Sequence, residues 1–283
     1  MIARMTVSSE RDLTGKPIRR SRLRSALGKE YFILKRHFRD LVQSPEWARR
    51  KFADESQWFP LIRHSSPLIR KLKDLDMQLQ YNKLTNLGIA INRINGVIIR
   101  PGELFSFWHM VGRPTAAKGY LPGLVLQQGE LKSGTGGGLC QLGNLLYWMI
   151  LHSSLRVTER WRHSYDVFPD VDRSIPFGSG ATLAYNYLDL RCFNPTQDTY
   201  HIRLWMDRQD LFGELSCSRK DEVFEVYEKG HRFEQLWWGG YARCNEIWRC
   251  RLGKEGEKTG HELITKNYAL LCYEPLLPAQ AEK

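Results

Sequence analysis

Apolar residues recur at helical spacing in two stretches of the first half of the chain. Between residues 29 and 52 they alternate with basic residues, which predicts an amphipathic helix that Pro45 divides. Between residues 77 and 95 they recur at steps of three and four residues, and Gly96 stands where that helix would end. The pattern therefore predicts a mainly helical N-terminal part.

Strand patterns follow these helices. Residues 97–107 are typical of a short strand, a turn at Pro101 and Gly102, and a second strand. Residues 119–132 predict a hairpin. Residues 156–168 are rich in strand formers and place His163 in the middle of a strand, and residues 181–193 predict a further strand that carries Asp189.

The C-terminal third is a series of strand patterns separated by Gly, Asp and Asn. The predicted strands are 200–206, 211–218, 223–227, 233–238, 241–252 and 262–273. Helices early and strands late predict an α+β fold. We expect a basic, mainly helical extension (1–75), an α+β domain (76–275) and a short tail (276–283). In that domain a mainly antiparallel sheet accompanies one buried helix that starts at a glycine-rich loop.

This loop occupies residues 134–138 and runs directly into an apolar segment of helical length. Glycine adopts backbone angles that are closed to other residues and lets neighbouring atoms approach the main chain. Cys140 follows the loop and falls in the first turn of the predicted helix. A thiol there faces unpaired backbone N–H groups and the positive end of the helix dipole, and both favour the thiolate.

Cys140 has two interpretations. Cysteine is among the residues most often buried, and a helix that packs closely on a sheet commonly begins with glycine, so the thiol could be structural. Alternatively, Cys140 is a nucleophile, with His163 as its base and Asp189 as the group that orients the base. The amide of Gln141 and backbone N–H groups of the loop would then stabilise an oxyanion.

Two arginines that could bind an anion lie close to these residues in the sequence. Arg160 and Arg162 would share one face of the predicted strand, opposite His163. They could bind a carboxylate or a phosphate there, or they could simply form an exposed edge. The loop is not a P-loop, because its lysine and serine precede the glycines. Its backbone would instead complete the anion site at Gly136, Gly137 and Gly138.

All of the excess positive charge lies in the first hundred residues. These hold 21 Lys and Arg against 9 acidic residues, a net charge of +12, whereas the remainder has a net charge of −1. A basic amphipathic helix suits weak contact with the anionic inner membrane surface, although a solvated face is the commoner case. No nucleic-acid-binding motif accompanies the basic residues, so we predict no nucleic-acid partner.

The hydrophobicity and the cysteines of the chain bear on where the protein resides and on whether it binds a metal. No apolar run approaches the length that crosses a bilayer, and the first thirty residues lack the apolar core of a secretion signal, which predicts a cytoplasmic protein. The six cysteines are then expected to be free thiols. Cys244 and Cys250, with His231 and His261, fit no zinc spacing, so we predict neither a metal nor a cofactor.

Several short motifs carry a family resemblance. They are PGELFSF at 101–107, VG at 111–112, GY at 119–120, GGGLCQ at 136–141, LY at 146–147, ER at 159–160, RHS at 162–164, and DL at 189–190 with Asn194. As a set they resemble the VanW family over residues 30–250. The resemblance implies an association with cell-wall metabolism and glycopeptide resistance, with a peptidoglycan-related peptide or precursor as partner.

Two functions remain open within this resemblance. One is cysteine-dependent acyl transfer or hydrolysis, and the other is non-catalytic binding or scaffolding of a peptidoglycan-related peptide or another anionic ligand. Exported relatives carry an acidic residue before the Ala181–Thr182 pair, where this chain has Gly180. Asp189 is then the nearby carboxylate left to orient His163.

Overall fold

Helices and strands alternate early in the chain, and strands alone follow. A computed structural model describes residues 21–49, 58–69, 76–127, 130–167, 175–219, 222–253 and 256–273. Its helices are α1 (Arg22–Gln43), α2 (Met77–Ile94), α3 (Phe107–Val111) and α4 (Cys140–Leu151), with a 3-10 turn at Ala116–Lys118. Its strands are β1 (Phe59–Pro67), β2 (Val97–Ile99), β3 (Leu104–Ser106), β4 (Pro122–Gln127), β5 (Glu130–Thr135), β6 (Arg156–Glu159), β7 (Tyr165–Asp166), β8 (Arg191–Phe193), β9 (Tyr200–Met206), β10 (Asp210–Cys217), β11 (Val223–Gln235), β12 (Tyr241–Leu252) and β13 (Lys258–Leu271).

Three sheets and a two-stranded ribbon organise these strands. The strand orders are β1-β10-β9-β2, β11-β12-β13-β7 and β3-β8-β6, and the ribbon is β4-β5. Neighbouring strands are antiparallel except β13 and β7. The predicted α+β class, with its mainly antiparallel sheet, is confirmed.

Two apolar helices supply much of the core. The side chain of Asp76 accepts a hydrogen bond from the N–H of Gln78 at 2.8 Å, which caps the start of α2. The apolar stripe of α2 is buried and packs on β9 and β4. Most of α4 is buried, and it packs on β1 and β10. The glycine-rich loop therefore leads into a buried helix, as predicted.

The N-terminal part differs from its prediction in two ways. α1 ends at Gln43, and Pro45 follows that end instead of dividing a longer helix. Within the predicted extension, β1 pairs with β10 and so belongs to the first sheet. The basic arm before residue 21 and the tail 276–283 lie outside the described residues, and the division into extension and domain stays a prediction.

The predictions that His163 and Asp189 each lie within a strand are wrong. Residues 156–167 form only the short strands β6 and β7, and His163 lies in the connection between them, while residue 168 lies outside the described residues. Of residues 181–193 only 191–193 form a strand, and Asp189 precedes it. The carbonyl of Trp161 accepts from the N–H of Thr182 at 2.7 Å, so this connection binds a distant loop instead of extending a ladder.

The C-terminal strands agree more closely with the pattern. β9 and β12 occupy the predicted residues. The predicted strands 223–227 and 233–238 are one long strand, β11, whose register with β12 shifts between Lys229 and Arg232. Gly230 lies at that shift with a φ of 62°, which explains the apparent break in the sequence pattern.

A buried charge cluster fixes α1 to the rest of the fold; we use this name for Arg36, Asp40, Glu159, Asp189 and Arg191. Arg36 is 5% exposed and donates from both terminal nitrogens to Glu159, each at 2.5 Å. Arg191 donates to both oxygens of Asp40 at 2.8 and 2.6 Å, and from its Nε to Asp189 at 2.8 Å. Two-pronged pairing of this kind fixes geometry as well as charge.

Asp189 is the most deeply enclosed member of this cluster. Its carboxylate, 0% exposed, also accepts from the Ser106 hydroxyl at 2.6 Å and from the N–H groups of Trp108 and Leu190 at 3.1 and 2.9 Å. These bonds join β3, α3 and β8. The carboxylate is therefore fully occupied in holding the fold together.

We predict that Asp189→Asn destabilises the protein by about 3–5 kcal/mol, because it leaves the buried Arg191 guanidinium short of one charge partner. Denaturant unfolding followed by circular dichroism measures this. The matched control is Glu225→Gln, the same carboxylate-to-amide change in the exposed pair of Glu225 with Lys258. The control should unfold close to wild type. Equal midpoints for the two variants would contradict the structural role of Asp189.

Candidate functional site

A pocket of about 830 Å³ lies where the glycine-rich loop, the start of α4 and the segments 160–167 and 175–187 meet. Nine residues were predicted for the site, and all of them except Asp189 line this pocket. The lining residues among them are Gly136, Gly137, Gly138, Cys140, Gln141, Arg160, Arg162 and His163. The structure thus gathers most of the predicted site in one place.

The loop glycines serve close packing. A Cβ atom on Gly123 of β4 would lie 2.6 Å from the carbonyl oxygen of Gly137, so the two backbones touch directly. Gly136 and Gly138 have φ values of 76° and 95°, which other residues rarely adopt. The N–H groups of Gly136 and Gly137 donate to Leu121 and to residue 134, each at 3.0 Å. These two N–H groups are therefore already occupied.

Asn86, in the middle of α2, fixes this loop from behind. Its side-chain nitrogen donates to the carbonyls of Leu121 and Gly137 at 3.0 and 2.9 Å, and its oxygen accepts from the N–H of Leu121 at 2.8 Å. The sequence analysis missed Asn86. A polar residue next to Leu87, inside an apolar helical stripe, is the signal that would have found it.

Cys140 lies in the pocket wall, but its environment does not favour the thiolate. Burial is the largest influence and raises the pKa of the thiol, while hydrogen bonds from the backbone lower it by less. The thiol donates a weak hydrogen bond to the Leu183 carbonyl at 3.9 Å. Burial thus opposes the effect of the helix start, and the structure does not support the expected ionised cysteine, which stays a prediction.

His163 lies in the same wall and is neutral at pH 7. Burial and the nearby Arg160 guanidinium lower the pKa of the imidazole to about 4, against a smaller opposite effect of Asp166. No residue in the described ranges hydrogen-bonds its ring nitrogens. A base works best when its pKa lies near the working pH, so a base with this pKa is weak.

Two other members of the predicted catalytic set have structural partners. Asp189 lies outside the pocket, in the buried charge cluster, and does not orient His163. The side-chain nitrogen of Gln141 donates to the Ser66 hydroxyl at 2.9 Å and to the Pro67 carbonyl at 2.8 Å. Both of its N–H groups therefore tie the start of α4 to the end of β1, and neither is left for an oxyanion.

Arg160 is the most unusual residue of the pocket. Its Nε donates to the Gly180 carbonyl at 2.8 Å, one terminal nitrogen donates to the Gly178 carbonyl, and the guanidinium carbon lies 4.8 Å from the centre of the Tyr147 ring. Burial lowers its pKa, with no carboxylate among the causes. Within the described ranges no Asp or Glu lies in ion-pair distance of it. A partly buried cation without a counter-ion is costly, so electrostatics favour an anion beside this side chain.

The charges around the pocket are unbalanced. Among its described lining residues five are basic and one is acidic, and that one, Asp166, lies 3.4 Å from Arg243. The basic residues come from four separate stretches of the chain, which is why sequence spacing grouped only Arg160 with Arg162. They are Lys29, Lys83, Arg113, Arg160 and Arg162.

Within the described ranges no three His, Cys, Asp or Glu residues are grouped so that they could hold a metal ion. In the same part of the chain, no helix is both long and apolar enough to span a bilayer.

Comparison with known proteins decides the family. A sequence model of the family described as VanW like protein matches residues 82–216. The chain is 31% identical to the vancomycin B-type resistance protein VanW of Enterococcus faecalis over 199 residues, which cover 70% of this chain and 72% of that protein. The chain belongs to the VanW family. It is also 31% identical over 121 residues to the uncharacterized protein YoaR of Bacillus subtilis, a match that covers 42% of this chain and 37% of YoaR. No solved structure matches the chain.

The family match covers most of the residues that line the pocket. Residues 82–216 of this VanW-family chain include the glycine-rich loop, α4, Arg160 and His163. The match ends before β11, β12 and β13, yet Asn267 of β13 lines the pocket and Thr265 accepts from Arg160 at 3.4 Å. The site is therefore completed by strands that lie beyond the matched residues.

We predict that Cys140 is alkylated by iodoacetamide with a midpoint above pH 8.5, about the pKa of a free cysteine, because burial raises the pKa of its thiol. Peptide mapping by mass spectrometry over a pH series measures this. Cys272, which is exposed, serves as an internal comparison for reagent access. A midpoint below that of free cysteine would restore the nucleophile interpretation.

Proposed function

We propose that this VanW-family chain binds a peptidoglycan-related peptide or precursor through a terminal carboxylate of that ligand, in the pocket beside α4. The observation that carries the proposal is the enclosed guanidinium of Arg160, which has no carboxylate partner among the described residues. Carboxylates are natural partners of guanidinium groups, because both are planar and pair through two hydrogen bonds.

The composition of the pocket supports an anionic ligand. Five basic residues and one acidic residue line the pocket, and Arg113 pairs with Glu30 outside that set. The remaining excess of basic residues in a concave surface favours anions. A volume of about 830 Å³ falls within the range of small-ligand sites and suits a short peptide. The relative named for vancomycin B-type resistance supports a ligand that derives from the cell wall.

Binding agrees with the site better than acyl transfer does. Cysteine-dependent acyl transfer needs an ionised thiol, a base of suitable pKa and donors for an oxyanion. The pKa of Cys140 is raised, the pKa of His163 is lowered to about 4, and the amide of Gln141 is occupied. His163 instead offers its ring nitrogens to a ligand beside Arg160.

We predict that Arg160→Gln lowers the affinity for the N-acetylated peptidoglycan stem peptide at least tenfold, since a charge-assisted pair is lost. Isothermal titration calorimetry measures this, with the stem peptide as the free acid and as the C-terminal amide. The wild-type protein should bind the free acid and lose at least tenfold in affinity for the amide.

Arg249→Gln is the matched control. Arg249 is also largely buried and donates to backbone carbonyls, at Leu151 and Ser153, but it pairs with Glu262 and lies outside the pocket. This control should bind as the wild type does, and so should Cys140→Ala. No binding of the free acid, or equal binding of acid and amide, would overturn the proposal. Loss of binding in Cys140→Ala with an unchanged melting temperature would favour the catalytic alternative.

A further inference from the structure

One face of α1 is apolar and turned to solvent. Seven of its side chains are between 59% and 75% exposed, although all are large and apolar. At about 100° of rotation per residue they fall within one arc of about 100°, so they form a continuous stripe. We call this set the outer stripe: Leu23, Leu27, Tyr31, Leu34, Phe38, Leu41 and Val42.

The opposite face of α1 holds the helix in this orientation. Ile33 and Arg36 are 4% and 5% exposed, and Asp40 receives both terminal nitrogens of Arg191. Rotation of α1 to bury the outer stripe would break the ion pairs of the buried charge cluster. Exposure of the stripe is therefore built into the fold, and soluble proteins seldom expose contiguous apolar patches without a partner.

The charge around the stripe is positive. Arg24, Lys35 and Arg39 follow one edge of it along the helix. The two acidic residues of α1 are engaged elsewhere, since Glu30 pairs with Arg113 at 2.8 Å and Asp40 pairs with Arg191 at 2.6 Å. A ligand that approaches the outer stripe thus meets apolar side chains bordered by cations.

We propose that the outer stripe docks the protein on an anionic lipid surface, with α1 lying parallel to the membrane. A helix with one apolar face and basic residues at its edge has the form of an interfacial helix, with apolar side chains at the acyl boundary and cations at the head groups. A second copy of the chain fits less well, because paired stripes would bring the basic edges of two molecules of net charge +11 together.

The test is sedimentation of the full chain with vesicles of phosphatidylcholine that contain about 30% phosphatidylglycerol, and with phosphatidylcholine alone. We expect at least about tenfold stronger binding to the anionic vesicles, and a marked loss of binding between about 50 and 500 mM salt. The double variant Leu34→Ser and Phe38→Ser should bind at least about tenfold more weakly, because it removes two inserted side chains.

Trp237→Ser is the matched control, since this side chain is 82% exposed on the turn between β11 and β12, away from α1. The control should bind as the wild type does, and melting curves check that both variants are folded. Absence of binding to anionic vesicles at low salt would overturn the proposal. The proposal would also be overturned if the double variant bound anionic vesicles as strongly as the wild type. A further contradicting result would be a dimer in sedimentation velocity that the wild type and Trp237→Ser form and the double variant does not.

Discussion

The pairing of buried charges is the constraint on which this fold depends. Five acidic and basic side chains from α1, β6, β8 and the segment just before β8 share one interior cluster, where each carboxyl group meets a guanidinium within hydrogen-bond distance. Removing charges from water is costly unless partners replace the lost hydration. Because these partners belong to distant parts of the chain, the cluster fixes the position and the rotation of α1 at once.

Arg160 differs from the arginines of this cluster, because it has no carboxylate partner among the described residues. Arg160 is partly buried, and its described partners are backbone carbonyls, one hydroxyl and the Tyr147 ring. Carbonyl dipoles and an aromatic face stabilise a guanidinium only in part. Arg36 and Arg191 pair with carboxylates instead, and this difference supports the proposed binding role of Arg160. The neutral His163 beside it adds hydrogen-bonding capacity and no competing charge.

The sequence predicted those parts of the structure that depend on local pattern. The apolar steps of α2, the alternation in β9 and β12, and the glycines that lead into α4 each follow from spacing alone. It failed where distant contacts decide the structure. Residues 156–168 contain strand formers, yet Thr182 and the carbonyls at 178 and 180 bind this segment and interrupt the strand. Asp189 was predicted to orient His163, but in the structure its carboxyl group pairs with Arg191, two residues further along the chain.

In the candidate site, too, local pattern predicted some features and distant contacts decided the others. Motif order brought Cys140, His163 and Arg160 to attention, and the pocket does gather them. Their protonation could not be predicted, because the pKa of Cys140 depends on enclosure and that of His163 on enclosure and on Arg160. The same contacts that lower the pKa of the imidazole also make it a reporter of any charge that enters the pocket.

The most direct test of the central claim is the titration of His163 by NMR, without ligand and with the stem peptide at saturation. Without ligand, the midpoint should lie at about 4. A bound carboxylate beside Arg160 stabilises the imidazolium, so the midpoint should rise when the peptide is present. An unchanged midpoint at saturation would contradict the account, because the carboxylate would then lie elsewhere.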